Sequence, residues 1–166
     1  MIKYSCLLLI VVFLVSCQKL KDYLPKPEPK PVPQFNKVYG GSQRDEASFI
    51  IRTKDDGYLF TGSTESMDGD VSGKAVGYDA WVVKLNKSGA IQWQKPLGGS
   101  SFEKMLAAAQ TKDGGYIVAG YTYSNDGDVS GMHGGRGKTD AWVVKLDGDG
   151  TIQWQKALGG SDYDAA

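Results

Sequence analysis

Hydrophobic and polar residues alternate with a period of two over several short segments of this chain. The segment 80–85 places large apolar residues at every second position, and these are Trp81, Val83 and Leu85. The segment 90–95 repeats the pattern, with Ile91 and Trp93 opposed by Gln92 and Gln94. Because successive side chains of a strand point to opposite faces, aromatic and β-branched residues at this period predict β-strands.

The same pattern returns later in the chain. The segment 79–85 (DAWVVKL) recurs 61 residues later at 140–146, whereas 68–73 (DGDVSG) recurs unchanged 58 residues later at 126–131. The difference between the two offsets places a three-residue insertion within 132–139. A loop that accepts an insertion faces solvent, so we expect this one to lie at the surface.

Each repeat predicts four strands, which in the first copy are 47–53, 58–64, 80–85 and 90–95. Two hairpin connections with a glycine at the same offset, 86–89 and 147–150, support this reading. The alanines of 104–111 suggest a helix as an alternative, but Phe49-Ile50-Ile51 at the equivalent place favours a strand.

Four antiparallel strands in about 60 residues match the size of a β-propeller blade. The segments DGGY-IVAG, DGDVSG, DAWVVKL and IQWQK-x-LGG resemble a family of repeats of this length in secreted and lipid-anchored bacterial proteins. The spacing Gly-x-x-x-Trp at 89–93 and 150–154 is also similar to quinoprotein-type blades. These resemblances imply an all-β, propeller-like fold and no common activity.

The two ends of the repeat region carry parts of further repeats. The segment 35–41 aligns with 93–99, so we expect a flanking fourth strand with no unit before it. The segment 159–166 matches 40–47 and begins a third unit. A closed propeller needs at least four blades. We therefore expect an incomplete propeller, either the front part of a longer protein or a subunit that completes the ring by oligomerising.

The first residues read as an export signal. A lysine at position 3 precedes an apolar run over 6–15, which is half the length that a membrane-spanning helix needs. The run ends in Leu14-Val15-Ser16-Cys17, which resembles the bacterial lipobox. The resemblance implies a signal peptide over 1–16, a diacylglycerol on Cys17 and a location in the cell envelope, at the outer membrane of a Gram-negative bacterium. The alternative is an ordinary signal peptide with a chance cysteine.

The next segment, 17–34, holds five of the six prolines. Proline removes the amide donor and fixes φ, so we expect an extended spacer between the lipidated cysteine and a repeat region over 35–166. That region divides into units of about 40–97 and 98–158, with the third unit starting at 159.

Composition limits which partners, cross-links and sites are compatible with this chain. The 19 basic and 19 acidic residues cancel, so bulk charge predicts no nucleic-acid partner. Both cysteines, Cys6 and Cys17, precede the repeats, which therefore have no disulfide. A single histidine, His133, excludes a multi-histidine metal site, and we expect it to be solvated. No spacing supports a Ser/His/Asp set, a Cys/His pair or a phosphate-binding glycine loop.

The repeated DGDVSG loop is the best chemical candidate. Its oxygen donors at positions 1, 3 and 5, with glycine at 6, match the start of a calcium loop. Asp79 falls at position 12 of the first loop, whereas position 12 of the second is Gly137 and the matching Asp140 comes three residues later. The candidate Ca²⁺ ligands are Asp68, Asp70, Ser72, Asp79, Asp126, Asp128, Ser130 and Asp140. The alternative is a loop whose side chains cap backbone amides, with Asp79 and Asp140 capping the third strand.

Four tryptophans recur at equivalent strand positions: Trp81, Trp93, Trp142 and Trp154. We expect them to pack between repeats, with a sugar-stacking platform as the alternative. The favoured function is a membrane-anchored module that binds a protein or glycan and catalyses no reaction. One alternative is the N-terminal fragment of a propeller enzyme, quinoprotein-like or hydrolytic, with its site on missing blades. The other is a gene remnant with no function of its own.

Overall fold

The fold is all-β in a computed structural model that describes residues 35–73, 77–135 and 137–166. The strands are β1 (Asp45–Arg52), β2 (Tyr58–Thr64), β3 (Asp79–Leu85), β4 (Ile91–Leu97), β5 (Glu103–Gln110), β6 (Tyr116–Thr122), β7 (Asp140–Leu146) and β8 (Ile152–Leu158). Across these ranges we find no helix long and apolar enough to cross a membrane.

The strands form two four-stranded antiparallel sheets in the orders β1-β2-β3-β4 and β5-β6-β7-β8. The register is the same in both: Phe60 pairs with Val83, and Val118 pairs with Val144. The hairpin turn after β3 is closed by Asn86 N–H donating to Ala90 O at 2.9 Å. The sequence repeat is thus a structural repeat, and β5 confirms a strand where the alanines suggested a helix.

One glycine in each sheet is fixed by close packing of the backbone. β1 has a bulge after Ala47, opposite Gly62 of β2, where a Cβ atom would lie 1.7 Å from the carbonyl oxygen of Glu46. Gly120 of β6 is equivalent, with 1.9 Å to the carbonyl oxygen of Lys104. Any side chain at these positions would push the first two strands of a unit apart.

Each sheet has two faces, which we name by their central residues. The front face contains Phe60, Trp81 and Leu85 in the first sheet, and Val118, Trp142 and Leu146 in the second. The back face contains Leu59, Val82 and Trp93 in the first sheet, and Ile117, Val143 and Trp154 in the second. The back face of the first sheet packs on the front face of the second, and this contact forms the main core.

The segment 35–41 belongs to no strand, so the expectation of a flanking fourth strand is wrong as to its conformation. A strand is defined by a ladder to a neighbour, and in the described part of the chain none pairs with this segment. Its position nevertheless follows the repeat. The Phe35 ring packs against Gly89 and Tyr58, just as Trp93 packs against Gly150 and Tyr116.

Candidate functional site

The front face of the first sheet is an open apolar groove. Phe35 and Tyr39 cover one side of it, and β1 borders the other. The groove measures about 640 Å³. Its aromatic and large aliphatic lining residues are Phe35, Tyr39, Phe49, Ile50, Phe60, Trp81 and Leu85, and Lys37, Asp45 and Glu46 also line it. Ile50 is 57% exposed, although the equivalent position of the second sheet packs against the core. The floor of the groove, formed by Phe60, Trp81 and Leu85, is at most 5% exposed beneath Phe35 and Tyr39. The apolar surface that the described residues leave open is therefore that of β1, at Phe49 and Ile50.

Among the described residues, none packs over the middle of the back face of the second sheet, at Trp154. By contrast, β2 and β3 of the first sheet are buried along almost their whole length, because other residues cover both faces of these two central strands. In β6, and over the first half of β7, buried and half-buried residues alternate. Trp154 is 44% exposed, whereas the equivalent Trp93 donates from Nε1 to Gly148 O at 3.0 Å across the sheet interface.

The DGDVSG loops hold the segment that precedes the first strand of each unit. Asp68 Oδ1 accepts from Ser42 N–H at 2.7 Å, and Asp70 Oδ2 accepts from Gly40 N–H at 3.1 Å. The second unit repeats both bonds, with Asp126 at 2.8 Å from Ser100 N and Asp128 at 3.1 Å from Gly98 N. The backbone hydrogen bonds lower the pKa of Asp68 and Asp126. These carboxylates therefore perform the amide capping that the sequence offers as the alternative to calcium binding.

In each unit, one glutamine links the serine of the DGDVSG loop to a tryptophan. The sequence alone did not single out this glutamine. Gln94 Nε2 donates to Ser72 Oγ at 2.8 Å, and Gln94 Oε1 accepts from Trp81 Nε1 at 2.8 Å. Gln155 joins Ser130 to Trp142 in the same way, at 2.6 and 2.9 Å. The signal was present in the sequence, because this glutamine recurs in both IQWQK segments.

The third-strand aspartates begin β3 and β7 and are buried. Asp140 accepts from His133 N–H at 2.8 Å and from Gly134 N–H at 3.2 Å, and thus caps the insertion loop. His133 Nδ1 lies 3.1 Å from the same carboxylate, with its ring largely exposed as expected. Within the described ranges, no three His, Cys, Asp or Glu side chains form a group that could hold a metal ion. The calcium site stays a prediction.

A buried lysine in each unit was also missed. Lys84 is 3% exposed, and its ammonium donates to Asp55 Oδ2 at 2.7 Å, Gln92 Oε1 at 2.8 Å and Leu85 O at 3.0 Å. Burial raises the pKa of Asp55, but the hydrogen bonds from Lys84, Thr53 and Gly57 outweigh it and lower that pKa to about 2. Lys145 and Asp113 form the same pair in the second unit.

Trp142 and Trp93 pack in the core between the two sheets, as predicted. Trp81 is buried in the front-face cluster of its own sheet and Trp154 is 44% exposed, so the prediction of packing between repeats is wrong for these two. Cys17, together with the signal peptide and the proline-rich segment, lies outside the described residues. No protein-family model matches the chain, and no curated protein matches it.

Proposed function

We propose that this chain is an exported lipoprotein, anchored through Cys17, that displays a propeller-like β-repeat module for binding and catalyses no reaction itself. We place it in the cell envelope, at the outer membrane of a Gram-negative bacterium. The observation that carries the proposal is the open apolar groove on the front face of the first sheet. A groove of this kind is a docking surface, because uncovered contiguous apolar area favours association.

The interface between the two sheets indicates what occupies the groove. The equivalent front face of the second sheet is covered by residues of β1, β2 and β3, among them Ile51, Leu59 and Val82. Trp93 of β4 lies at the border of this front face. In the groove, Phe35 already stands at the place of Trp93, beside Gly89. The occupant is therefore a three-stranded β-unit of the same repeat type that takes the segment 35–41 as its fourth strand.

This occupant also accounts for the fixed position of the segment 35–41. Tyr39 Oη donates to Gly89 O at 2.7 Å, and Gly40 N–H is held by Asp70, so the segment is positioned before any strand pairs with it. Preorganisation of this kind lowers the entropic cost of docking. Successive docking of such units is the arrangement of a propeller.

Cys17→Ala tests the anchor. We expect cells fed a radiolabelled fatty acid to label the parent chain and the Cys6→Ala control, and to leave Cys17→Ala unlabelled and free of the membrane fraction. Continued labelling of Cys17→Ala would refute the anchor.

A photocrosslinking residue at position 50 tests the docking surface in the cells that produce the protein. We expect it to capture a polypeptide that mass spectrometry identifies by this repeat, and we expect Phe49→Asp, at an exposed position of the groove, to abolish capture. The matched control carries the crosslinker at Leu106, which is exposed outside the groove. Equal capture at both positions, or capture without the repeat, would contradict the proposed occupant.

A further inference from the structure

Four aromatic side chains meet at one end of the junction between the two sheets: Tyr78, Phe102, Tyr121 and Tyr123. Phe102 is at the centre, with ring centroids 4.6 Å from Tyr78, 5.7 Å from Tyr121 and 6.0 Å from Tyr123. All four are half-buried, so each ring keeps part of its surface in contact with solvent. We call these four residues the junction cluster; none of them lines the groove.

The junction cluster departs from the repeat. The first unit has Arg44, Ser63 and Glu65 where the second has Phe102, Tyr121 and Tyr123, and the second has Thr139 where the first has Tyr78. The strand register at these positions is the same in both units, with Glu46 opposite Ser63 and Lys104 opposite Tyr121. Strand pairing within a sheet therefore does not require aromatic residues at these places, and they are concentrated where Tyr78 and Phe102 bridge the two sheets.

Charged groups border the junction cluster and cancel one another. Glu46 pairs with both Arg44 and Lys104, with Lys104 Nζ at 2.6 Å. Burial is the main cause that raises the pKa of Tyr78, and the neighbouring Glu65 carboxylate raises it further. Two cations and two anions thus surround the aromatic rings: Arg44, Lys104, Glu46 and Glu65. They provide hydrogen-bond donors and acceptors, and their charges sum to zero.

The hydroxyls of Tyr121 and Tyr123 add two more polar groups. Over the described ranges, neither hydroxyl has a hydrogen-bond partner within the protein. An aromatic surface edged by hydrogen-bonding groups is apolar in the middle and polar around it. A sugar ring has the matching form, with C–H groups on its faces and hydroxyls around its rim.

We propose that the junction cluster is a binding site for a neutral polysaccharide. The face of a sugar ring stacks on the exposed part of Phe102, and the Tyr123 ring, at 75° to Phe102, contacts the edge of the sugar. Arg44, Glu65 and the tyrosine hydroxyls then hydrogen-bond its hydroxyl groups. The balanced charge selects against polyanions, because a ligand with many negative charges gains from a surface only where positive charge is in excess. This site is additional to the groove and does not depend on whether the groove is occupied.

Affinity electrophoresis of the detergent-solubilised full chain tests the site, with laminarin, glucomannan, dextran or xylan dissolved in native gels. We expect at least one of them to retard the parent chain. Gels that contain alginate serve as the polyanion control. Phe102→Arg and Tyr123→Glu install the residues that the first unit carries at these positions, so we expect both to fold. Each should weaken retardation about tenfold, the size of one lost stacking contact. Trp154→Ala, an exposed aromatic residue outside the cluster, should keep full retardation.

We expect melting curves of both variants to show that they remain folded. Three outcomes overturn the proposal: no retardation by any of the four polysaccharides, retardation that both variants retain, and retardation only by a polyanion such as alginate. Because the groove is tested by crosslinking at position 50, failure of the glycan site leaves that proposal unaffected, and the reverse also holds.

Discussion

The buried lysines show how single side chains are made compatible with a close-packed sheet. An ammonium group removed from water costs several kcal/mol unless its donors are satisfied. Lys84 has three donors, and its three partners are Asp55, Gln92 and the carbonyl oxygen of Leu85. Asp55 is in turn oriented by Gly57 N–H at 3.2 Å. Each unit thus ties the turn after its first strand to its third strand through one ion pair.

The ion pair between Lys84 and Asp55 makes the chain less stable at acid pH. The pKa of Asp55 is lowered from 3.8 to about 2 in the folded chain, so its contribution is complete above pH 4 and is lost as the pH falls toward 2. We expect the free energy of unfolding, measured with urea, to fall over this range and to fall less steeply in Asp55→Asn. Asp113→Asn is the matched variant of the second unit, where the carboxyl pKa is also lowered. If the free energy of unfolding falls as steeply with pH in both variants as in the parent chain, these carboxylates are not the source of the pH dependence.

The DGDVSG loops give a second prediction for single residues. Calcium binding requires carboxylate oxygens to turn toward one ion, whereas here Asp68 and Asp70 each accept a backbone N–H. We therefore expect equal melting temperatures in millimolar calcium and in EDTA. Asp68→Ala should lower the melting temperature, because the N–H of Ser42 loses its partner. A higher melting temperature in calcium, absent in Asp68→Ala, would instead support the calcium site.

At the scale of elements, β4 and β8 share the sequence IQWQK but differ in their surroundings. Trp93 of β4 lies between the two sheets and bonds Gly148 O, whereas Trp154 of β8 lies on the uncovered back face of the second sheet. The same strand is thus an interface element in one unit and a surface element in the other.

This difference predicts unequal costs for two identical substitutions. Trp93→Ala removes a packed ring and should cost about 3 kcal/mol. Trp154→Ala removes an exposed ring and should cost less than about 1 kcal/mol. Urea unfolding of both variants measures the difference directly. Equal destabilisation would mean that the back face of the second sheet is covered in solution, as self-association of the chain would produce.

At the scale of the whole molecule, the segment 35–41 acts as the cover of the first sheet. A chain that starts at residue 33 keeps every contact described here, so we expect it to melt like the parent chain. A chain that starts at residue 42 loses the rings of Phe35 and Tyr39 from the front face. It should be less stable by about 3 kcal/mol, as for the loss of a large packed side chain. Calorimetry of the two truncated chains tests this, and equal melting would show that the cover adds no stability.

Much of the fold could be predicted from the sequence because its signals are local. The period of two in DAWVVKL, the glycine turns such as 86–89 and the direct repetition of both predict strands, hairpins and units without long-range information. The amide capping by Asp68 was also available as an alternative, since short acidic side chains in glycine-rich loops commonly bond nearby backbone groups.

Other features depend on what lies beside an element, which no local pattern contains. The burial of Lys84 and the junction cluster both required the packing of one strand or sheet against another. The segment 35–41 resembles β4 in sequence but is no strand, because strand structure requires a paired neighbour.

By itself, therefore, the sequence determined the strands, the turns and the two units, because period-two alternation and glycine turns act over a few residues. Only the tertiary structure decided which faces are covered. Trp93 and Trp154 have the same neighbours in sequence and opposite surroundings in space, since burial is a property of the packed sheets and not of the strand.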